Sequence, residues 1–220
     1  MQKTLLSIVA GLVGFSLAAS SVAAEIVYSN FGPTRDGIQW AFQAPPRYNA
    51  NTITLEGTER EVTEVTVGLW KQFIPLSGID NTGTIDLTLR LYDVDSAGRP
   101  SSILYQSPTI DDLLIDNLSL PIDSQEFQVT FAVPNITVPD TFAVAAAISD
   151  RQTTRPVAFS NYGDPTIGTF ESRWFSTTDG LNWTQVTTTE AWGLQVTVVP
   201  EPTTVALAGV AGVTLLRRRR

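Results

Sequence analysis

The sequence predicts an all-β body: a two-sheet antiparallel β-sandwich, jelly-roll-like in shape, set between two apolar terminal stretches. Three observations predict it. Apolar and polar residues alternate with period two in several separate stretches. No stretch of the body holds a helical period of useful length; Asp111–Leu120 has room for a turn or two, but Pro108 and Pro121 bracket it. The alternating stretches are joined by short polar links bearing Gly and Pro. Such links suit antiparallel pairing, because parallel neighbours need long crossovers. About nine to twelve short strands fit the body, which suits a sandwich.

At the amino end, Lys3 precedes an apolar run, Leu5–Ala19, and Val22-Ala23-Ala24 supplies small residues. Charge, length and small residues together define a secretory signal peptide, a helix over residues 1–24 cut after Ala24. The Sec translocon and signal peptidase are the expected partners. Residues 25–199 are then the mature body, long enough for one domain with a substantial core.

Setting aside Lys3 and the four terminal arginines leaves 9 of 14 basic residues; setting aside Glu201 leaves 21 of 22 acidic ones. The body therefore carries about −12. That balance argues against nucleic acid, which needs a basic face, and suits a soluble exported domain.

The strands follow in order. Val62–Lys71 alternates through Val65, Val67 and Leu69. Thr84–Tyr92 points Ile85, Leu87, Leu89 and Leu91 one way and Thr84, Asp86, Thr88 and Arg90 the other. Glu126–Val133 repeats this with Phe127, Val129, Phe131 and Val133, and Trp192–Val199 with Trp192, Leu194, Val196 and Val198. Thr141–Ser149 differs: Phe142, Val144, Ala146 and Ile148 face one side, while Ala143, Ala145 and Ala147 face the other. A strand apolar on both faces is expected to be central and covered twice.

Two turns carry chemical signals. Asp93-Val94-Asp95-Ser96-Ala97-Gly98 has the opening spacing of a calcium loop, with Asp93 and Asp95 as ligands. However, Ala97 occupies an oxygen-ligand position and Leu104 stands where the closing Glu belongs. A hairpin turn is the stronger reading, with Gly98 at positive φ and the two aspartates as caps. Thr177-Thr178-Asp179-Gly180-Leu181-Asn182-Trp183 is a second hairpin signal. Its spacing approaches an Asp-box turn, one residue short, with Trp183 packed beside the turn.

Cysteine and histidine are both absent. No Ser-His-Asp set, cysteine nucleophile or His-ligated zinc site is possible in such a chain, and no cofactor is expected. Carboxylate chemistry is left: Asp111, Asp112 and Asp116 cluster, and Glu190 lies near Trp192. Glycoside hydrolysis needs two carboxyl groups facing across a cleft, which proximity in sequence does not supply. A non-catalytic protein is expected. For sugar binding without catalysis, Trp40, near the Pro45-Pro46 loop, and Trp70, opposite Val65, Val67 and Leu69, are the candidate platforms.

The carboxyl end reads Pro200-Glu201-Pro202, then an apolar run Thr203–Leu216, then Arg217-Arg218-Arg219-Arg220. Fourteen residues make a helix of roughly 21 Å, short of a hydrocarbon core of about 30 Å. The four arginines resist crossing and are expected to stay cytoplasmic. These three parts, residues 200–220, resemble the PEP-CTERM sorting tail of Gram-negative exported proteins. The resemblance implies an exosortase-like membrane protease that recognises the tripeptide and removes the tail. The stretch Ile26-Val27-Tyr28-Ser29-Asn30, the strand–turn–strand Leu89–Leu104 with Asp95, Gly98 and Pro100, and Asp179-Gly180 with Trp183 are similar to "choice-of-anchor" exported domains. That resemblance implies a β domain ahead of a surface anchor and assigns no catalytic residue.

The expectation is a non-catalytic protein of the cell envelope or extracellular matrix, exported, and held in the inner membrane in transit by its short C-terminal helix. The alternative is a carbohydrate-binding module for envelope or extracellular polysaccharide; a carboxylate-based glycoside hydrolase ranks third.

Overall fold

The computed structural model describes residues 23–32, 37–40, 47–72, 83–115, 124–152, 157–187 and 191–199. The residues beyond Ala23 toward the amino end and the tail from Pro200 lie outside them. The described chain runs through β1 (Glu25–Ser29), β2 (Gly37–Trp40), β3 (Tyr48–Thr54), β4 (Glu61–Gln72), β5 (Thr84–Val94), β6 (Pro100–Gln106) and β7 (Ile110–Leu114). It continues through β8 (Ser124–Thr137), β9 (Thr141–Gln152), β10 (Val157–Tyr162), β11 (Thr169–Thr177), β12 (Thr184–Thr187), β13 (Ala191–Trp192) and β14 (Leu194–Val198). Fourteen strands among the described residues exceed the nine to twelve expected. The excess comes from two- to four-residue strands, β2, β12 and β13, too short to show a period.

The described strands fall in two seven-stranded antiparallel sheets, an arrangement consistent with a β-sandwich. The first runs β1-β14-β4-β10-β13, with β8 on β4 and β2 on β10. The second runs β12-β11-β3-β9-β5-β6, with β7 also on β5. Among the described residues no helix is long and apolar enough to cross a membrane.

The alternation read from sequence packs as expected. Ile85, Leu87, Leu89 and Leu91 of β5, Val65, Val67 and Leu69 of β4, and Trp192, Leu194, Val196 and Val198 are all fully buried. With Val129, Phe131 and Val133 of β8 and Phe142, Val144, Ala146 and Ile148 of β9 they form one core between the sheets. Strand β9 is also buried on its other face through Ala143, Ala145 and Ala147. There Ala143 and Ala145 join Ala50, Tyr92 and Phe175 in a second, smaller apolar cluster on the outside of the second sheet.

Three features depart from the sequence reading. Ile110–Leu114 is strand, not helical turn: the edge of β5 takes it up, pairing Leu87 with Ile110, Ile85 with Leu113 and Thr84 with Leu114. Lys71 continues the inward parity of Val65, Val67 and Leu69 and is 1% exposed, its Nζ donating to the Ile115 carbonyl at 2.5 Å. Trp70, on the opposite face, is also buried.

One buried polar side chain ties the first sheet together. Asn30 accepts the Leu194 N–H at Oδ1 (2.7 Å) and donates from Nδ2 to the Trp192 carbonyl (3.1 Å). It spans the interruption at Gly193, where β13 ends and β14 begins. Gly193 donates to Ser160 O and accepts from Gly68 N–H. A Cβ there would stand 2.6 Å from the Tyr162 ring and 2.7 Å from that of Phe31.

Candidate functional site

Both turns singled out in the sequence lie on the outer side of the second sheet. The β5–β6 turn is built by Asp95. Its Oδ1 accepts the N–H groups of Ala97 (2.8 Å) and Arg99 (2.9 Å), and Gly98 takes φ +72°. The Arg99 N–H, with help from Ala97 and the Arg99 and Arg173 charges, holds the Asp95 carboxyl below its ordinary range. Asp93 caps the Val94 N–H at 2.8 Å. The tip is pinned to the sheet where Thr52 Oγ1 donates to Gly98 O at 2.8 Å, beside the Arg173–Glu171 ion pair.

The β11–β12 turn is built the same way around Asp179. Its Oδ1 accepts the Asn182 N–H, the Leu181 N–H and the Thr177 hydroxyl, and its Oδ2 accepts the Asn182 amide at 2.6 Å. These bonds, the Asn182 N–H foremost, hold the Asp179 carboxyl far below the usual carboxylate range. Gly180 takes φ +75° and its carbonyl accepts from Tyr92 Oη at 3.4 Å. Burial pushes the Tyr92 phenol up, against the lowering contact with Arg90. Trp183 meets the Tyr92 ring edge-on, centroids 5.2 Å apart, and packs on the outer apolar cluster. Its Nε1 finds no acceptor among the described residues.

The sign of the Asp179 effect is set by its lowered folded value. The ionised carboxylate stabilises the turn at every pH above the ordinary aspartate value of about 3.9, and that support is lost as pH falls through the lower folded value. Amide resonances of Leu181 and Asn182 should therefore hold still from pH 8 to 5 and move only below about pH 4. A midpoint at the ordinary aspartate value would show that these bonds do not hold the carboxylate.

Between the two turns lies an open groove of about 360 Å³ lined by Asp95, Arg99, Pro100, Leu181, Asn182, Trp183 and Thr184. Sequence reasoning named Trp183 only as packing and did not bring the two turns together. They are brought together where the β11–β12 turn reaches Tyr92 of β5, through the Tyr92 Oη–Gly180 O bond and the Trp183–Tyr92 ring contact.

The other sequence candidates fall elsewhere. Trp70 is only 7% exposed, so its ring offers no free face to a pyranose, and the expectation of an exposed platform is corrected. Trp40 closes β2, paired with Ala158; its side chain is not among those described. Asp93 and Asp95 give their carboxylates to backbone N–H groups. Among the described residues no three or more acidic side chains converge as metal ligands. Asp111 and Asp112 are exposed on the edge strand β7, where Asp112 N–H donates to Asp86 Oδ1 at 2.9 Å. Asp116 and Glu190 lie outside the described residues, as do Pro200, Glu201, Pro202, Arg217, Arg218, Arg219 and Arg220. Ala24 is exposed, immediately before β1. Comparison with known proteins finds no family model, no curated protein and no solved structure that matches this chain.

Proposed function

We propose that this is an exported, non-catalytic β-sandwich protein of the cell envelope or extracellular matrix, delivered by its two terminal segments. The observation that carries the proposal is the three-part carboxyl end: Pro200-Glu201-Pro202, the uncharged run Thr203–Leu216, and four arginines. A short helix with a cationic stop is held at the inner membrane without spanning it comfortably, which suits a transient sorting span cut by an exosortase-like protease. A signal helix cut after Ala24 completes the delivery, and a jelly-roll-like connection of the two sheets suits the body. Deleting Pro200–Arg220 is expected to move the protein from the envelope fraction to the soluble periplasm or medium. Unchanged fractionation of the truncated protein rules the sorting role out.

The groove beside Trp183 favours a second reading, carbohydrate binding by the same body. An aromatic side chain flanked by planar polar groups is the pattern by which β-sandwich surfaces hold sugars. A glycan array probed with and without chelator tests this and any role for calcium; a blank array in both conditions removes it.

A further inference from the structure

The geometry points to the groove between the β5–β6 and β11–β12 turns as a site for one neutral pyranose unit of a polysaccharide, with Trp183 as the apolar wall and Arg99 and Asn182 as the polar clamps. This rests on the carbohydrate reading and assigns it a place and a ligand class. Four polar groups line the groove and make no hydrogen bond to another described residue, although the Arg99 and Asp95 charges lie close enough to interact: the Arg99 guanidinium, the Asn182 Oδ1, the Asp95 Oδ2 and the Thr184 hydroxyl. Arg99 can only donate, the two carbonyl-type oxygens can only accept, and Thr184 does both. A ligand that satisfies this mixture must itself donate and accept at neighbouring positions, as adjacent ring hydroxyls do.

Other ligand classes fit less well. A cation would find one carboxylate, half committed to the backbone. An anion would find one guanidinium with Asp95 beside it. A wholly apolar ligand would strand the four polar groups, a costly arrangement once water is excluded. The volume sits at the low end of small-molecule sites, roughly 300–1,000 Å³. Together with the open shape, it suits one sugar of a chain whose neighbours run on through solvent. Leu181, 74% exposed on the rim, adds apolar surface that the fold itself does not use.

The walls are also preorganised. Each turn is locked by an aspartate that accepts backbone N–H groups from within its own loop, so binding need not order them. Both loops are further fixed to the sheet beneath, at Thr52–Gly98 and Tyr92–Gly180.

Saturation-transfer NMR on the full-length exported protein, with the methyl glycosides of glucose, galactose and mannose and with N-acetylglucosamine as probes, tests the site. Transfer to the ring protons of at least one probe is expected. Arg99→Ala and Asn182→Ala should each weaken it on the order of 10-fold, and Trp183→Ala should abolish it. Arg99 is exposed and its side chain bonds to no other described residue, so Arg99→Ala keeps the test alive if Trp183→Ala does not fold. Leu114→Ser, on the exposed edge of β7, should leave binding intact. Binding that survives both Arg99→Ala and Asn182→Ala overturns the groove assignment while leaving carbohydrate binding standing. No transfer from any probe to the unaltered protein, with a blank glycan array, overturns the carbohydrate reading and the groove with it.

Discussion

Trp192→Ala should destabilise the fold by about 3–5 kcal/mol, a large share of the ~5–15 kcal/mol typical of a domain. The indole is fully buried and lies against Phe159 with centroids 5.1 Å apart. Its backbone is engaged as well: the Trp192 carbonyl accepts from Asn30, so the residue sits where β1, β10 and β14 converge. Removing the ring leaves a void that strands fixed on several sides cannot close. Denaturant unfolding should show a lower midpoint with an unchanged slope. A loss under about 1 kcal/mol would mean that the neighbouring strands collapse into the space.

Gly168→Ala should cost roughly 2–5 kcal/mol, from two separable causes. The residue has φ +75°, which costs a residue with a Cβ about 1–2 kcal/mol. That Cβ would also stand 2.6 Å from the Thr54 carbonyl oxygen and 2.9 Å from Tyr28 Cδ2. Thr54 belongs to a paired strand and Tyr28 to the core, so neither yields readily, and overpacking adds about 1–3 kcal/mol. Gly57 separates the terms: its φ is +70°, but nothing lies within 4 Å of its Cβ position. Gly57→Ala should therefore show the backbone cost alone. Equal losses at the two sites would show that the close approach at Gly168 is relieved by small shifts.

What was legible in the sequence was whatever repeats locally. The inward sets of β4, β5, β8 and β14 declared themselves by period two, and the doubly apolar β9 announced that both its faces would be covered. Strand β3 did not: Asn49, Asn51 and Thr52 make Tyr48–Thr54 look like a polar link, yet all three are buried. Pairing with β9 and β11 makes it a strand, and Asn51 reaches across to the Trp192 carbonyl. Trp70 shows the same limit from the other side. Parity tells which face a residue occupies, not whether distant chain covers that face. Lys71 obeys the inward parity and was still unreadable, because Ile115, far along the chain, supplies an acceptor for its ammonium.

The candidate groove was half legible. Each turn was visible through its Asp and Gly, and the capping roles of Asp93 and Asp95 follow from residue type. That the two turns border one groove depends on the β11–β12 turn reaching across the sheet to Tyr92 of β5, a long-range contact that no local signal encodes.

The position of β14 has a consequence for how the chain matures and bears load. Apart from one bridge between Ser29 and Ile167, β1 takes its ladder among the described residues from β14, which also pairs with β4 on its other side. Strand β1 must therefore wait for β14, the last described strand, and that side of the first sheet forms only once β14 is in place. The same strand ends two residues short of Pro200. Tension applied to the chain beyond Val198 would pull β14 lengthwise between two neighbours, straining its hydrogen bonds together in shear instead of unzipping them singly.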